Sequence, residues 1–172
     1  MSRRWVFRWV VVVAVVVLCE GWSVTLGQES GEQAVVKSAA DQKFAPFPNV
    51  PGCMTGAVER GNPETGPSVI LIKGSAGCVV PWHWHTPNEQ VMIVSGTGRI
   101  EMKGEKPALV RAGGYFFAPT HHVHRFSCLG ACSAFVHSDG TFDVHYVDRS
   151  GNEIPPEQAL KRNGAMAAQA KK

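Results

Sequence analysis

Gly77-Cys78-Val79-Val80-Pro81-Trp82-His83-Trp84-His85-Thr86-Pro87-Asn88-Glu89 opens the segment whose reading decides the fold, and the segment closes seven residues later at Gly96. Side chains on a β-strand alternate faces with a period of two, so His83 and His85 leave the same side of one strand. Glu89 shares their parity. The intervening Thr86-Pro87-Asn88 reads as a turn that carries the chain to the next strand and returns a carboxylate toward the imidazoles. A second stretch follows with Gly113, Pro119 and His124, and His124 lies in the strand-like run Val123-His124-Arg125-Phe126. The gap between the stretches is expected to close as a hairpin or a sheet edge. Three imidazoles and one carboxylate (His83, His85, His124, Glu89) suit a borderline divalent transition metal.

Working outward, the constellation resembles the cupin superfamily. Its first motif, G-x5-H-x-H-x(3,4)-E-x6-G, is met by Gly77, His83, His85, Glu89 and Gly96. Its second, G-x5-P-x-G-x2-H-x3-N, is met at Gly113, Pro119 and His124, with His121 where the family has glycine and Cys128 where it has asparagine. Neither departure removes a ligand. The resemblance implies a small jelly-roll β-barrel and one metal ion (Fe, Mn, Zn, Ni or Cu) held by His83, His85, Glu89 and His124, with at least one position open. Cupin barrels associate through exposed sheet surface, so it also allows a homodimer.

Such a site makes a metal-dependent enzyme acting on a small molecule the first functional reading, with oxidation by molecular oxygen the first choice among reactions. A non-catalytic ligand- or metal-binding module is the second, and isomerase or decarboxylase chemistry the third. The sequence contains no Ser-His-Asp arrangement, phosphate loop or dinucleotide fingerprint.

The neighbours of the motif residues sort by parity. Val91, Ile93 and Phe126 share the ligand parity and are expected to form an apolar wall, whereas Trp82 and Trp84 should face away and pack elsewhere. His122 has ligand parity and is a candidate proton donor behind the site; His121 suits a left-handed turn. His137 and His145 fall outside both motifs and read as ordinary histidines.

Arg3, Arg4 and Arg8 precede an unbroken apolar run from Val10 to Cys19, too short to cross a bilayer comfortably, so residues 1–27 read as a secretory signal peptide cleaved before Gln28. An uncleaved anchor and a lipidated Cys19 are the competing readings, the second disfavoured because Leu18 is not small. Removing residues 1–27 leaves 14 basic and 13 acidic residues. Nothing forms a long cationic run, which excludes nucleic acid as a partner, and no membrane association is expected once the leader is gone. The destination is secreted or periplasmic. There, Cys53, Cys78, Cys128 and Cys132 are free to form disulfides. The Cys128-Leu129-Gly130-Ala131-Cys132 spacing favours a bridge across a hairpin, which leaves Cys53 for Cys78.

Residues 28–43 are polar and alanine-rich and read as a linker, followed by a cupin domain over 44–150. Extended chain is expected at Pro46, Pro48 and Pro51, and a loop at Gly61–Pro67. Short strands are expected at Ser68–Lys73, Val79–His85, Glu89–Ser95, Arg99–Lys103, Ala108–Arg111, Tyr115–Ala118, Val123–Cys128, Cys132–His137 and Thr141–Val147, an all-β pattern. Residues 151–172 read as a short helix from Pro155-Pro156 through Asn163, then a flexible tail.

Overall fold

The computed structural model describes residues 33–161. The expected signal peptide over 1–27, the first residues of the expected linker up to 32, and the end of the expected helix and tail after 161 lie outside the described residues. Among the described residues ten strands form: β1 (Met54–Gly61), β2 (Ser68–Gly74), β3 (Val79–Trp84), β4 (Glu89–Ser95), β5 (Thr97–Met102), β6 (Ala108–Arg111), β7 (Tyr115–Ala118), β8 (His124–Cys128), β9 (Cys132–Ser138) and β10 (His145–Tyr146). They make two five-stranded antiparallel sheets, ordered β1-β2-β9-β4-β7 and β10-β3-β8-β5-β6. From β2 to β5 and again from β6 to β10 each successive strand crosses to the other sheet, which is the jelly-roll winding. The two sheets face each other without closing into a continuous barrel, and the core lies between them.

Alternation builds that core. In β4, Glu89, Val91 and Ile93 point inward and are buried, while Gln90, Met92 and Val94 point outward. Val80, Ile100 and Phe126 face them from the second sheet, with Phe116, Ala134 and Val136 completing the first. Each fully buried aliphatic or aromatic side chain contributes roughly 1.5–3 kcal/mol. A helix begins at 156, where Ala159 packs into the core and its N–H bonds the Pro155 carbonyl. Among the described residues no helix is long and apolar enough to cross a membrane.

Four expectations need correction. β1 was not foreseen: Met-Thr-Gly-Ala-Val-Glu-Arg-Gly carries two glycines and no steady alternation, and it becomes a strand through its pairing with β2. The expected strand over Thr141–Val147 shrinks to His145–Tyr146, because the Phe142 N–H bonds the Pro63 carbonyl and the Asp143 carboxylate takes the Thr86 N–H instead of joining a ladder. The two motifs meet neither as a hairpin nor at an edge; β8 lies at the centre of its sheet, between β3 and β5. The disulfides pair as expected, Cys53–Cys78 and Cys128–Cys132, but no hairpin joins the second pair. Cys128 ends a strand of one sheet and Cys132 begins a strand of the other, so the bridge turns the corner between sheets.

Candidate metal centre

β3 and β8 run antiparallel with His83 directly opposite His124. His85 follows one residue past the end of β3 and keeps the inward parity. Their rings cluster, with centroids 4.2 Å apart for His83 and His124, 4.8 Å for His83 and His85 and 5.3 Å for His85 and His124. All three are buried, and one ligand atom from each lies within 4.8 Å of the others. Glu89 comes from the opposite sheet. Its Oε2 is 3.2 Å from the His124 Nε2 and its Oε1 3.6 Å from the His85 Nε2. The loop at 85–88 that crosses between sheets is tied to the turn before β8, since His121 N–H bonds the His85 carbonyl and the Thr120 hydroxyl bonds that of Thr86.

Each imidazole is oriented by a backbone carbonyl. The Nδ1 of His83 meets Pro81 O at 2.6 Å, that of His124 meets His122 O at 2.8 Å, and that of His85 meets Asp143 O. Such a bond places the ring proton on Nδ1, leaving the Nε2 lone pair for the cavity. The Nε2 of His85 is buried and has no hydrogen-bond partner. An unpaired buried acceptor costs about 1–3 kcal/mol, which a cation on that nitrogen would remove. The donor set thus fits a divalent transition metal.

Electrostatics agree. Burial, reinforced by the neighbouring His124 and His85, holds His83 well below the ordinary histidine value. Burial likewise lowers His85, against the pull of Glu89. His124 goes the other way: burial disfavours its charge, but the hydrogen bond and charge of Glu89 outweigh it. Glu89 itself stays below the ordinary glutamate value, burial being overcome by His85 and His124.

The four side chains face a cavity of about 70 Å³ whose other walls are apolar except for Thr55. Val91 and Phe126 line it as expected; Ile93 does not and belongs to the core. Trp84 faces away, its ring stacked 3.9 Å from that of His145. His121 takes a left-handed φ of 58° at the place where the motif has glycine. The motif glycines Gly77, Gly96 and Gly113 are left-handed too. At Gly96 a side chain is also sterically barred, because a Cβ would sit 2.3 Å from the Ala131 carbonyl oxygen. His122 contributes its carbonyl, not its ring. His145 is more than an ordinary histidine, since it contacts Glu153 at 2.9 Å and Asp143 at 3.3 Å and so secures the segment whose carbonyl orients His85. Pro81, Asp143 and Phe142, whose ring centroid lies 5.0 Å from that of His85, had no signal in the sequence; backbone carbonyls and loop walls leave none.

A family model described as the cupin domain matches residues 71–138, the span that holds all four motif side chains. Residues 71–138 are a cupin domain. Several solved cupin-like structures share its fold. A polyketide cyclase, RemF from Streptomyces resistomycificus, superposes with a TM-score of 0.59 at 18% identity over 74% of this chain and 99% of its own. A putative acetylacetone dioxygenase from Methylibium petroleiphilum gives 0.58 at 17% over 74% and 90%. An RmlC-like cupin from Ralstonia eutropha gives 0.58 at 19% over 80% and 88%. At these identities the likeness is one of fold. No curated protein matches this cupin.

Proposed function

We propose that this cupin is a metal-dependent enzyme that oxidises a small, largely apolar organic molecule with molecular oxygen, His83, His85, Glu89 and His124 holding the ion. The observation that carries the reading is the convergence of three carbonyl-oriented, buried imidazoles on a cavity with almost no other polar group. A bound divalent ion would supply Lewis acidity and a route for electrons between substrate and dioxygen. The histidines fix the place of the reacting group, and the apolar walls exclude water. Glu89, kept anionic by its histidine neighbours, has an Oε1 free of any close hydrogen bond and suited to accept a proton from an acidic C–H or O–H of the substrate.

The lining argues against a sugar. A polyhydroxylated ligand would bury several hydroxyls opposite Val91, Phe116 and Phe126 with little beyond Thr55 and Glu89 to pair them, a desolvation loss at each group left over. An aromatic or aliphatic molecule with two neighbouring oxygen donors matches better, and the fold shared with a protein described as a putative acetylacetone dioxygenase is consistent with that class. The test is oxygen consumption by iron- and manganese-loaded protein against catechols, flavonols and 1,3-diketones. Uptake with one class, lost in His124→Ala, is the expected result. Tight binding without uptake across the panel would make the protein a binding module.

Export belongs to the same proposal. It is supported by the basic and apolar leader and by two disulfides, which persist in oxidising compartments. Amino-terminal sequencing of protein recovered outside the cytoplasm should start at Gln28. A homodimer is supported by the outer face of β4 and β7, where Met92, Val94, Tyr115 and Phe117 are exposed side by side. Light scattering returning a monomer mass would refute it.

A further inference from the structure

The metal cavity is small, and a larger groove lies beside it. Phe47, Phe142 and Val144 line both that cavity and an adjoining groove of about 600 Å³. The groove runs between the extended segment at 43–49, the loop at 62–64 and the face of β1 that carries Gly56 and Val58, which pair with Ile72 and Ile70 of β2. Its construction is specific. The segment is pinned to β1 by paired bonds between the backbones of Ala45 and Gly56, each 2.9 Å. The Phe47 ring then lies where a Gly56 Cβ would stand, 2.5 Å from its Cε2. On the opposite side Phe142 is held by its N–H to the Pro63 carbonyl at 2.8 Å, with its ring on His85. Two phenyl rings, Phe47 two residues past the Ala45–Gly56 bonds and Phe142 held by its own N–H, thus line both the metal cavity and the groove.

A cavity of about 70 Å³ holds a few water-sized groups, enough for a reacting head and no more. The groove beyond the rings is many times larger, and Phe47, Pro63, Phe142 and Val144 give it apolar walls. Resting on the reaction proposed above, we propose that the substrate is a two-part molecule: a small head with paired oxygen donors that enters the metal cavity, and an apolar tail that passes between Phe47 and Phe142 and lies in the groove. The charged groups at the groove, Lys43, Glu64 and Asp143, differ in sign, so the groove does not select for a charged tail.

The test is a homologous series of 1,3-diketones carrying n-alkyl tails of increasing length, titrated calorimetrically into the metal-loaded full chain. Each methylene buried in the groove should tighten binding about twofold to fourfold until the groove is filled, after which affinity levels off. Val58→Trp, which fills the groove at a residue that does not line the metal cavity, should collapse the ratio of affinities between the longest and shortest members toward one. Ala45→Trp, on the segment bridged to β1, serves the same purpose should the first variant not fold. Equal affinity along the series, or a ratio untouched by a folded groove variant, overturns the proposal. Oxygen uptake in the same samples separates the two readings. Tail-dependent binding without uptake refutes the oxidation and leaves the groove assignment standing, whereas uptake with no tail dependence does the reverse; a series that does not bind refutes both.

Discussion

His124 sets the pH response of the site. Its imidazole is held above the ordinary histidine value because the bond and charge of Glu89 outweigh its burial. Below that raised value Nε2 carries a proton facing Glu89, and an entering cation has to displace it; above it the lone pair is free. Metal affinity should therefore fall as pH drops through the raised His124 value, by about tenfold per pH unit for one displaced proton. Chelator competition across neutral and mildly acidic pH measures this, and a flat affinity would mean that His124 gives up no proton on binding. The companion test is substitution. His124→Ala should cut bound metal to a small fraction of the wild-type content, whereas His137→Ala should retain it, because His137 sits on β9 beside Gln90 and away from the cavity. Equal loss in both variants, read by elemental analysis, would mean that the donor set is wrong.

At the level of the strand, β5 and β8 shape the cavity wall through one close approach. Gly98 lies under the Phe126 ring, where a Cβ would be 2.4 Å from Cε2 and 2.5 Å from Cζ, and Phe126 borders the metal cavity. Gly98→Ala should destabilise the fold by about 1–3 kcal/mol. Gly66→Ala, which meets no atom within 4 Å, should leave it nearly unchanged. Denaturant midpoints at constant slope report the difference, and a neutral Gly98→Ala would show that the ring yields freely. Strands also explain what the sequence could and could not reveal. The inward parity of His83, His85 and Glu89 is a local property of alternating side chains, so it was readable directly. Parity says which face a residue takes but not which sheet it joins; hence the crossing of β3 to β4, the central place of β8 and the corner at Cys128–Cys132 were invisible until the sheets were ordered. β1 was missed because its glycines interrupt the alternation to serve contacts outside the strand, Gly56 making room for Phe47. Asp143 was missed because it acts on His85 through a carbonyl that every residue possesses.

The molecule as a whole is built with its chemistry and its covalent ties at opposite ends. β8 starts at His124 and ends at Cys128, roughly 13 Å away at strand rise, and Cys78 precedes β3 as His85 follows it. Both disulfides join one sheet to the other at the far end, Cys53–Cys78 closing a separation of 25 residues and Cys128–Cys132 one of 4. The histidine end is joined between sheets in another way, by hydrogen bonds among the loops at 85–88, 119–122 and 139–143 and by the contacts of Glu89 with His85 and His124. These two fastenings share no residue. Replacing Cys53 and Cys78 by serine together should therefore cost stability by about 3 kcal/mol, chiefly through the less constrained unfolded chain, while folded protein keeps its full metal content. Thermal unfolding with and without a chelator makes the comparison, since a metal that binds only the folded state adds stability that grows with the logarithm of one plus the ratio of free metal to Kd. The metal-dependent increment should be the same in the serine variant as in the parent. A smaller increment would show that the far end helps to hold the imidazoles in place, and the separation of the two fastenings would then be geometric without being energetic.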